Sequence, residues 1–355
     1  MFNHKRIRDY GVRIGRLQTG PRNAITDVEG VTVGHVTLSE ESSQTGVTAI
    51  LPHQDNIFKE KLVASSHVIN GFGKTTGTIQ MQELGTLETP ILLTNTLGVG
   101  VAADALFDYM LERNPEIGRT TGTVNPVIGE CNDMFLNDIR AKFVKREHIF
   151  EALENTSSEF EEGAVGAGTG MLCYSLKGGI GSASRIMELD HGSYTLGVMV
   201  LSNFGILSDL LVQGKTVGQE LKEALCESYK EEDKGSVMII VATDLPVSER
   251  QLNRILKRAV AGLSRTGSII TNGSGEIVIG FSTATRIPHD KPEKPLALTQ
   301  IHEEDMDTAF RAIGEATEEA VLNSLVTAEA VKGRDGNERP AFKDLIEKFG
   351  VSLKP

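Results

Sequence analysis

One serine stands where a chain could cut itself and then use the new terminus as a catalyst. Ser236 is the first residue of the apolar run SVMIIVAT (236 to 243), and it follows Gly235 and the charged run KEEDK (230 to 234). Gly235 lacks a Cβ, so its backbone can adopt the strained geometry that attack by the Ser236 hydroxyl on the Gly235 carbonyl demands. Cleavage would free the α-amine of Ser236, with an ordinary pKa of about 7.7 to 8, to act as general base for its own hydroxyl. A plain Gly-Ser turn before a strand is the alternative interpretation.

Other familiar catalytic and nucleotide-binding patterns fail on spacing. The segment NGFGKTTG (70 to 77) ends like a phosphate-binding loop, but that motif needs a glycine where this chain has Val68. GAVGAGTG (163 to 170) looks like a dinucleotide loop, but EFEEG precedes it where a strand should be, so we interpret it as close backbone packing around a site. The eight histidines form no HExxH pair, and no serine lies in a GxSxG elbow. A metalloprotease and an α/β-hydrolase are therefore unsupported.

The composition is that of a folded globular protein. Of 355 residues, 39% are hydrophobic and 24% are charged, which excludes an intrinsically disordered chain. The net charge of −12 has the wrong sign for a nucleic-acid-binding protein. Three cysteines, Cys131, Cys173 and Cys226, fit neither a disulfide framework nor a zinc site. The chain begins with a charged segment and has no run of 18 apolar residues, so we expect a cytoplasmic protein without a membrane span.

Strands and helices both occur, without a regular alternation. Runs rich in Val and Ile predict strands that are buried on both faces, namely 89 to 96, 194 to 205, 236 to 243 and 276 to 283. A capping-box pair, Ser248 and Gln251, opens a predicted helix over 248 to 264, and a second helix is predicted from about 303 to 331, stopped by Gly333. No composition shift divides the chain. We therefore expect a single domain, 1 to 355, built as a layered α+β sandwich.

Nine segments in the same order resemble the self-processing DmpA-like family of L-aminopeptidase/D-esterases and β-peptidyl aminopeptidases. They are NAITDVEGVTVGHVTL, TGVTAILPH, NGFGKTTG, GECNDMFLND, GAVGAGTGM, KGGIGSASR, LSNFG, GSVMIIVATDLP and NGSGEIVIGFST. The resemblance implies a four-layer αββα sandwich, similar to N-terminal nucleophile hydrolases with different connectivity. It also implies cleavage into an α chain, 1 to 235, and a β chain, 236 to 355.

The resemblance assigns four catalytic residues and the cleavage site. Ser236 matches the nucleophile, and the bond between Gly235 and Ser236 matches the one that is cut. Ser274 and Glu276 in NGSGE match the supporting polar residues, and their i, i+2 spacing puts both side chains on one face if the segment is extended. Asn203 in SNFG matches the residue that lines the oxyanion hole.

The resemblance also indicates a substrate pocket, in which one acid matches the family pattern and two residues depart from it. Glu130 matches an active-site acid, and our hypothesis is that its carboxylate binds the free ammonium of the substrate. Asn70 and Gly73 are expected to shape the same pocket. Asn132 stands where archetypal members have a tyrosine, and Lys74 where they have an acid. The preference for β or D residues therefore does not follow from the resemblance.

The sequence thus predicts a self-processing serine aminopeptidase or amidase that acts on small peptides, amino-acid amides or esters. No metal or organic cofactor, nucleic acid or membrane is expected as a partner, and the resemblance implies a homotetramer of processed αβ protomers. Two alternatives stay open. One is an acyltransferase of the ornithine acetyltransferase type, although those enzymes use a threonine nucleophile and this chain has Ser236. The other is an unprocessed relative with no catalytic activity.

Overall fold

The computed structural model describes residues 5–225 and 235–354, which form strands and helices in a mixed order. The strands are β1 (Thr32–Glu40), β2 (Ser43–Leu51), β3 (Glu60–Gly71), β4 (Thr86–Leu87), β5 (Ile91–Asn95), β6 (Val127–Cys131), β7 (Leu172–Cys173), β8 (Leu176–Lys177), β9 (Gly179–Leu189), β10 (Gly192–Asn203), β11 (Ser236–Thr243), β12 (Gly275–Pro288), β13 (Val331–Lys332) and β14 (Glu338–Arg339). The helices are α1 (Thr78–Leu84), α2 (Val99–Arg113), α3 (Arg146–Glu154), α4 (Val217–Leu225), α5 (Glu249–Leu256), α6 (Ala259–Arg265), α7 (Met306–Val326) and α8 (Phe342–Phe349).

Two large sheets form the centre of the structure. One has four strands in the order β1-β2-β5-β6, and the other has six in the order β4-β3-β12-β11-β10-β9. Each sheet contains one parallel pair, β5 with β6 and β11 with β12, and its other pairs are antiparallel. In the six-stranded sheet, β11 lies between an antiparallel and a parallel neighbour, so its start lies beside the end of β10 on one side and the start of β12 on the other.

Two hydrophobic cores divide the structure into four layers. The first core lies between the sheets and extends to α2 and α3, and it includes Met199, Met238 and Ile277. The second lies on the other face of the six-stranded sheet, where Ile239 and Val278 pack with side chains of α5 and α7. The layers are therefore helices, sheet, sheet and helices, which is the αββα arrangement predicted from the resemblance.

The predicted strands are present, and their burial follows from their composition. Strand β11 spans residues 236 to 243 as predicted, and all eight of its residues are buried. The β-branched side chains of such a run pack well on a pleated surface with both faces covered. The other three predicted strands correspond to β5, β10 and β12, and β12 continues to Pro288, beyond its predicted end at 283.

The helix predicted over 248 to 264 is broken in the middle. Its start is confirmed, because Ser248 and Gln251 form the reciprocal capping box that opens α5. The prediction of one continuous helix is wrong, because α5 ends at Leu256 and α6 begins at Ala259. Between them the Arg258 N–H donates to the Ile255 carbonyl at 2.8 Å, an i→i−3 bond. The turn allows the Arg258 guanidinium to stack on the ring of Phe310 in α7, 3.8 Å from its centroid.

The second predicted helix ends earlier than expected. Helix α7 begins after a 3₁₀ turn (Glu303–Asp305) and ends at Val326, so the predicted stop at Gly333 is wrong. The Thr327 hydroxyl donates to the Asn323 carbonyl at 2.7 Å and satisfies a carbonyl at the helix end. Gly333 belongs instead to the turn between β13 and β14, where its N–H donates to the Asn337 carbonyl at 2.8 Å.

The structure describes two of the three cysteines. Cys226 and the charged run at 230 to 234 lie outside the described ranges, whereas Cys131 and Cys173 are buried. Within those ranges, no helix combines the length and the apolar character that crossing a membrane requires.

Truncation of Ile239 tests the second core. Its side chain is fully buried among residues of the helices that cover the six-stranded sheet, so we expect Ile239→Ala to lower the free energy of unfolding by about 2 to 5 kcal/mol. Ile79→Ala is the control, because Ile79 is 85% exposed and its loss should change stability by about 0.5 kcal/mol or less. Urea unfolding measures both. Equal effects of the two variants would contradict this layer assignment.

Candidate active site

Ser236 and Asn203 lie side by side at the ends of two central strands. They are direct partners in the antiparallel ladder of β11 and β10, and both are buried. Partners in such a ladder share one face of the sheet. Met238, two residues after Ser236, packs in the core between the sheets, so strand alternation puts the Ser236 and Asn203 side chains on that face.

The backbone at Gly235 leaves no room for a side chain. A Cβ at this position would lie 1.9 Å from the Asn203 carbonyl oxygen and 2.7 Å from the Phe204 Cα, both of which are backbone atoms. The Gly235 carbonyl accepts a hydrogen bond from the Gly275 N–H at 3.2 Å. The residue before Ser236 must therefore be a glycine, and its carbonyl is already held by a backbone donor.

Ser274 and Glu276 are joined to each other, as their spacing predicts. Ser274 Oγ donates to Glu276 Oε1, and both residues are fully buried. Gly275 between them is the ladder partner of Ser236. In β12, the side chain of Val278 packs against the helices. Residues two apart in a strand share a face, so the Glu276 side chain also lies on the helix side of the sheet. The Ser236 hydroxyl lies on the opposite face. The pair therefore lies beside the start of β11, on the face of the sheet opposite the Ser236 hydroxyl.

Asn70 and Gly73 support this corner from the neighbouring strand and the loop after it. The Asn70 amide donates to the Ser274 carbonyl and, at 3.1 Å, to the Thr271 carbonyl, so it fixes the turn that leads into β12. A Cβ at Gly73 would lie 3.2 Å from Ile277 Cδ1 and 3.6 Å from Glu130 Oε1. The loop thus packs between β12 and the acid of the opposite sheet.

Glu130 comes from the four-stranded sheet, and its carboxylate has two donors. Its Oε1 accepts from the Lys74 N–H at 2.7 Å, and its Oε2 accepts from Thr96 Oγ1. Glu130 is buried, 4% exposed. A carboxylate held in this way keeps lone pairs for a further donor, such as a substrate ammonium.

Asn132 and Lys74, the two departures from the family pattern, contact the site mainly through their backbones. The Asn132 carbonyl accepts from Asn203 Nδ2 at 3.1 Å, while its exposed side chain accepts from the Met134 N–H at 3.0 Å. The Lys74 N–H bonds Glu130, but its exposed ammonium lies over the Phe72 ring, 4.4 Å from the centroid. Their side chains are therefore placed toward solvent at the rim of the site.

The amide of Asn203 is oriented from both ends. Its Oδ1 accepts from the Leu172 N–H at 2.9 Å, and one hydrogen of Nδ2 goes to the Asn132 carbonyl. An amide nitrogen carries two hydrogens, so the second is available to a substrate oxygen. A fixed amide donor of this kind suits an oxyanion hole.

Cys131 is a site residue that sequence reasoning did not identify as one. Its thiol contacts the Ser236 side chain and donates to the Leu201 carbonyl at 3.5 Å. Burial and the nearby Glu130 carboxylate raise the pKa of Cys131, so it stays a neutral thiol rather than a nucleophile or a base. In the sequence, only its position between Glu130 and Asn132 indicated that Cys131 could lie in the site.

The structure therefore brings the residues that the sequence indicated for this site to one corner, although Asn132 takes part only through its backbone. Ser236, Asn203 and the Ser274–Glu276 pair lie on the adjacent strands β10, β11 and β12 or directly before them. Glu130 reaches the same corner from β6 of the other sheet, and Asn70 from β3. Such an arrangement offers a buried hydroxyl, an amide donor beside it and a buried carboxylate nearby, groups suited to acyl transfer from a substrate with a free amine.

Comparisons with known proteins find similarity along most of the chain. Residues 23–339 match the family model described as Peptidase family S58. The β-peptidyl aminopeptidase of Sphingosinicella microcystinivorans is 36% identical over 353 residues, which cover 93% of this chain and 88% of that protein.

Two solved structures resemble this one over nearly its full length. The PH0078 protein from Pyrococcus horikoshii OT3 has a TM-score of 0.92 at 48% identity, covering 98% of both chains. The L-aminopeptidase D-Ala-esterase/amidase from Ochrobactrum anthropi has a TM-score of 0.88 at 34% identity, covering 98% of this chain and 99% of that one. The latter is described as a prototype for the serine aminopeptidases and a new variant among the Ntn hydrolase fold. The predicted fold class is thereby confirmed.

Asn70→Asp tests the support of the turn that carries Ser274. The substitution keeps the shape but replaces an amide donor by a carboxylate facing two carbonyls, so we expect a loss of about 1 to 3 kcal/mol in stability and a fall in hydrolysis of aminoacyl p-nitroanilides. The matched control is Asn253→Asp, because the Asn253 amide also bonds two acceptors, Ser65 Oγ and the Ser66 carbonyl, each at 3.0 Å. The control should lose stability and keep its activity. Parallel losses of activity would contradict a local role for Asn70.

Proposed function

Because the chain belongs to peptidase family S58, and is thus an aminopeptidase of a hydrolase family, we propose that it is self-processing and acts through an acyl-enzyme on Ser236. Its substrates are the N-terminal residues of small peptides and amino-acid amides or esters. The family membership confirms the resemblance noted in the sequence. The observation that carries the proposal is the pairing of Ser236 with Asn203, directly after a glycine that tolerates no side chain.

The first step of the proposed mechanism is self-cleavage. Ser236 Oγ loses its proton and bonds to the Gly235 carbonyl carbon, and the peptide bond between Gly235 and Ser236 breaks as its nitrogen takes up one proton, so the net change is the transfer of a proton from the hydroxyl to the amine. The Gly275 N–H, 3.2 Å from the Gly235 oxygen, is suited to stabilise the negative charge on that oxygen during attack. Water then hydrolyses the ester, leaving a carboxylate on Gly235 and a free amine and hydroxyl on Ser236.

The freed α-amine is the general base of the proposed mature enzyme. It accepts the proton of the Ser236 hydroxyl as that oxygen attacks the substrate, so no histidine is required. The Ser274–Glu276 pair lies beside the start of β11, because Gly275 between its two members is the ladder partner of Ser236. We assign it the role of orienting this amine and stabilising its protonated form.

Substrate turnover then uses Asn203 and Glu130. Glu130 binds the substrate ammonium, and the reacting carbonyl points its oxygen at the Nδ2 of Asn203. Attack by Ser236 Oγ forms an acyl-enzyme and releases the rest of the peptide, whose new amine takes the proton from the Ser236 amine. A water molecule then attacks the acyl-enzyme, frees the N-terminal residue and regenerates the hydroxyl.

The pocket rim is expected to set the choice among substrates. The relative from Sphingosinicella is named a β-peptidyl aminopeptidase, and that from Ochrobactrum an L-aminopeptidase and D-Ala-esterase. In this chain the Asn132 and Lys74 side chains lie at the rim and leave the backbone contacts of Asn203 and Glu130 intact. We therefore propose aminopeptidase chemistry of the same kind with its own side-chain preference.

Ser236→Ala tests the nucleophile and the cleavage site together. Removal of the hydroxyl eliminates the attacking oxygen, so we expect one uncut chain with no hydrolysis of aminoacyl p-nitroanilides. Intact mass under denaturing conditions and N-terminal sequencing measure this, with two fragments, the second beginning at Ser236, expected of the parent protein. The control is Ser248→Ala, because this serine caps α5 and its loss should leave processing unchanged. A two-chain product from Ser236→Ala would refute the assigned junction.

Asn203→Ala tests the oxyanion donor. Loss of one such donor lowers kcat by about 10² to 10³ in other enzymes because the charge that develops in the transition state loses its partner. We expect a fall of that size with KM changed by about twofold or less, measured on fully processed protein by steady-state kinetics. A change confined to KM would count against this role.

A further inference from the structure

Lys177 is a fully buried lysine that the proposed mechanism does not use. Its Nζ donates to the carbonyls of Gly168, Met171 and Gly178 at 2.9, 2.8 and 2.6 Å. A protonated lysine has three N–H donors, so these three carbonyls match its hydrogens one for one. Burial lowers the pKa of Lys177 to about 7, while the acidic Cys173 and Asp133 side chains act in the opposite direction. A buried ammonium with all its hydrogens bonded fixes the backbone around it.

The carbonyls around Lys177 belong to the glycine-rich segment at 163 to 170 and to the residues after it. A Cβ at Gly168 would lie 2.7 Å from the Gly163 carbonyl oxygen, and one at Gly170 would lie 2.1 Å from the Gln44 carbonyl oxygen. The prediction of close backbone packing for this segment is thus confirmed. Gly168 of this segment and Met171 directly after it supply two of the three carbonyls that accept from Lys177 Nζ. Neighbouring backbone atoms leave no space for a side chain at Gly168 or Gly170.

Lys177 also closes a small, strained hairpin. Strands β7 and β8 pair Leu172 with Lys177, and the two residues of their connection, Tyr174 and Ser175, have φ of 51° and 60°. Two left-handed residues are the requirement of a type I′ turn, which glycine and asparagine fill at lower cost. Such strain persists only where surrounding contacts impose it, and it clusters at functional sites.

This hairpin holds the Asn203 amide. The Leu172 N–H donates to Asn203 Oδ1 at 2.9 Å, and the Tyr174 N–H donates to the Phe204 carbonyl at 2.7 Å. The Tyr174 ring packs edge-on against Phe204, with centroids 5.3 Å apart. The hydrogen bond to Oδ1 fixes the orientation of the amide. Its oxygen faces the Leu172 N–H, and its Nδ2 therefore faces the reaction centre.

We propose that Lys177 is a positioning residue for catalysis, acting through the β7–β8 hairpin to hold the Asn203 amide in its donor orientation. The inference rests on the proposed function, because it presupposes that Asn203 Nδ2 stabilises the oxyanion. Lys177 makes no contact with substrate in this account. Its effect is carried by Met171 O, one residue before the donor Leu172, and by Gly178 O, one residue after Lys177 itself.

The test is a double-mutant cycle with Lys177→Met and Asn203→Ala. The methionine fills the same space without donors, so the hairpin keeps its volume and loses its three bonds to the ammonium. We expect Lys177→Met alone to lower kcat by about 10- to 100-fold, since displacements of about 1 Å have effects of this size, while KM changes by about twofold or less. In the Asn203→Ala background, Lys177→Met should have no further effect on kcat, because residues that act through one another are not additive.

The matched control is Gln251→Met, which removes another fully buried donor, bonded to the Ile301 carbonyl at 2.9 Å on the far side of the six-stranded sheet. It should lower the melting temperature and leave kcat unchanged. If Lys177→Met does not fold, Lys177→Gln replaces it, because the glutamine amide retains two N–H donors. This variant should also have no further effect on kcat in the Asn203→Ala background.

Three outcomes overturn the inference: an unchanged kcat in the Lys177 variant, an equal loss of kcat in both backgrounds, or an equal loss in the Gln251 control. Failure of the proposed function is distinguishable from these, because Asn203→Ala alone would then leave kcat unchanged in a protein with Lys177 intact.

Discussion

The structure of the site depends on the crowding between the chain before β11 and the end of β10. At Gly235 the backbone passes so close to the Asn203 carbonyl oxygen that a Cβ would lie 1.9 Å from it. The ladder between β10 and β11 extends to the last residue of β10 and the first residue of β11. Asn203 and Ser236 are therefore direct partners on one face. The same geometry directs the Gly235 carbonyl to the Gly275 N–H. A single residue without a side chain thereby aligns the hydroxyl, the amide and the carbonyl.

The candidate catalytic residues and the two departures from the family pattern lie in different kinds of structure. The candidate catalytic residues lie on central strands or directly before them, where both faces of the sheet are covered and the ladder limits motion. The residues that differ from the family pattern, Asn132 and Lys74, lie in loops at the rim and reach the site through backbone groups. Side chains at these positions can therefore differ between relatives without displacing Glu130 or Asn203.

The parts of this structure that local sequence determines were predictable, and those that distant packing determines were not. The bounds of β11 coincide with an apolar β-branched run, and the Ser274–Glu276 bond follows from i, i+2 spacing in an extended segment. The break after Leu256 was not predicted, and the turn there brings Arg258 onto Phe310 of another helix, a contact that no local pattern records. Cys131 meets Ser236 only because two sheets pack face to face. The role expected of Asn203 came from the resemblance, since Asn-Phe-Gly by itself indicates only a turn.

The position of β11 within its sheet has a further consequence for how the two halves of the chain are held together. Its neighbours come from opposite sides of the junction in sequence, β10 before Gly235 and β12 after it. A break between Gly235 and Ser236 leaves the ladders on both sides of β11 in place, and the long helix α7 from the C-terminal part packs on β9 and β10 of the N-terminal part. The two pieces would share one sheet and one core. Their size and shape in native solution would be those of the intact chain, so a severed backbone would be visible only after unfolding.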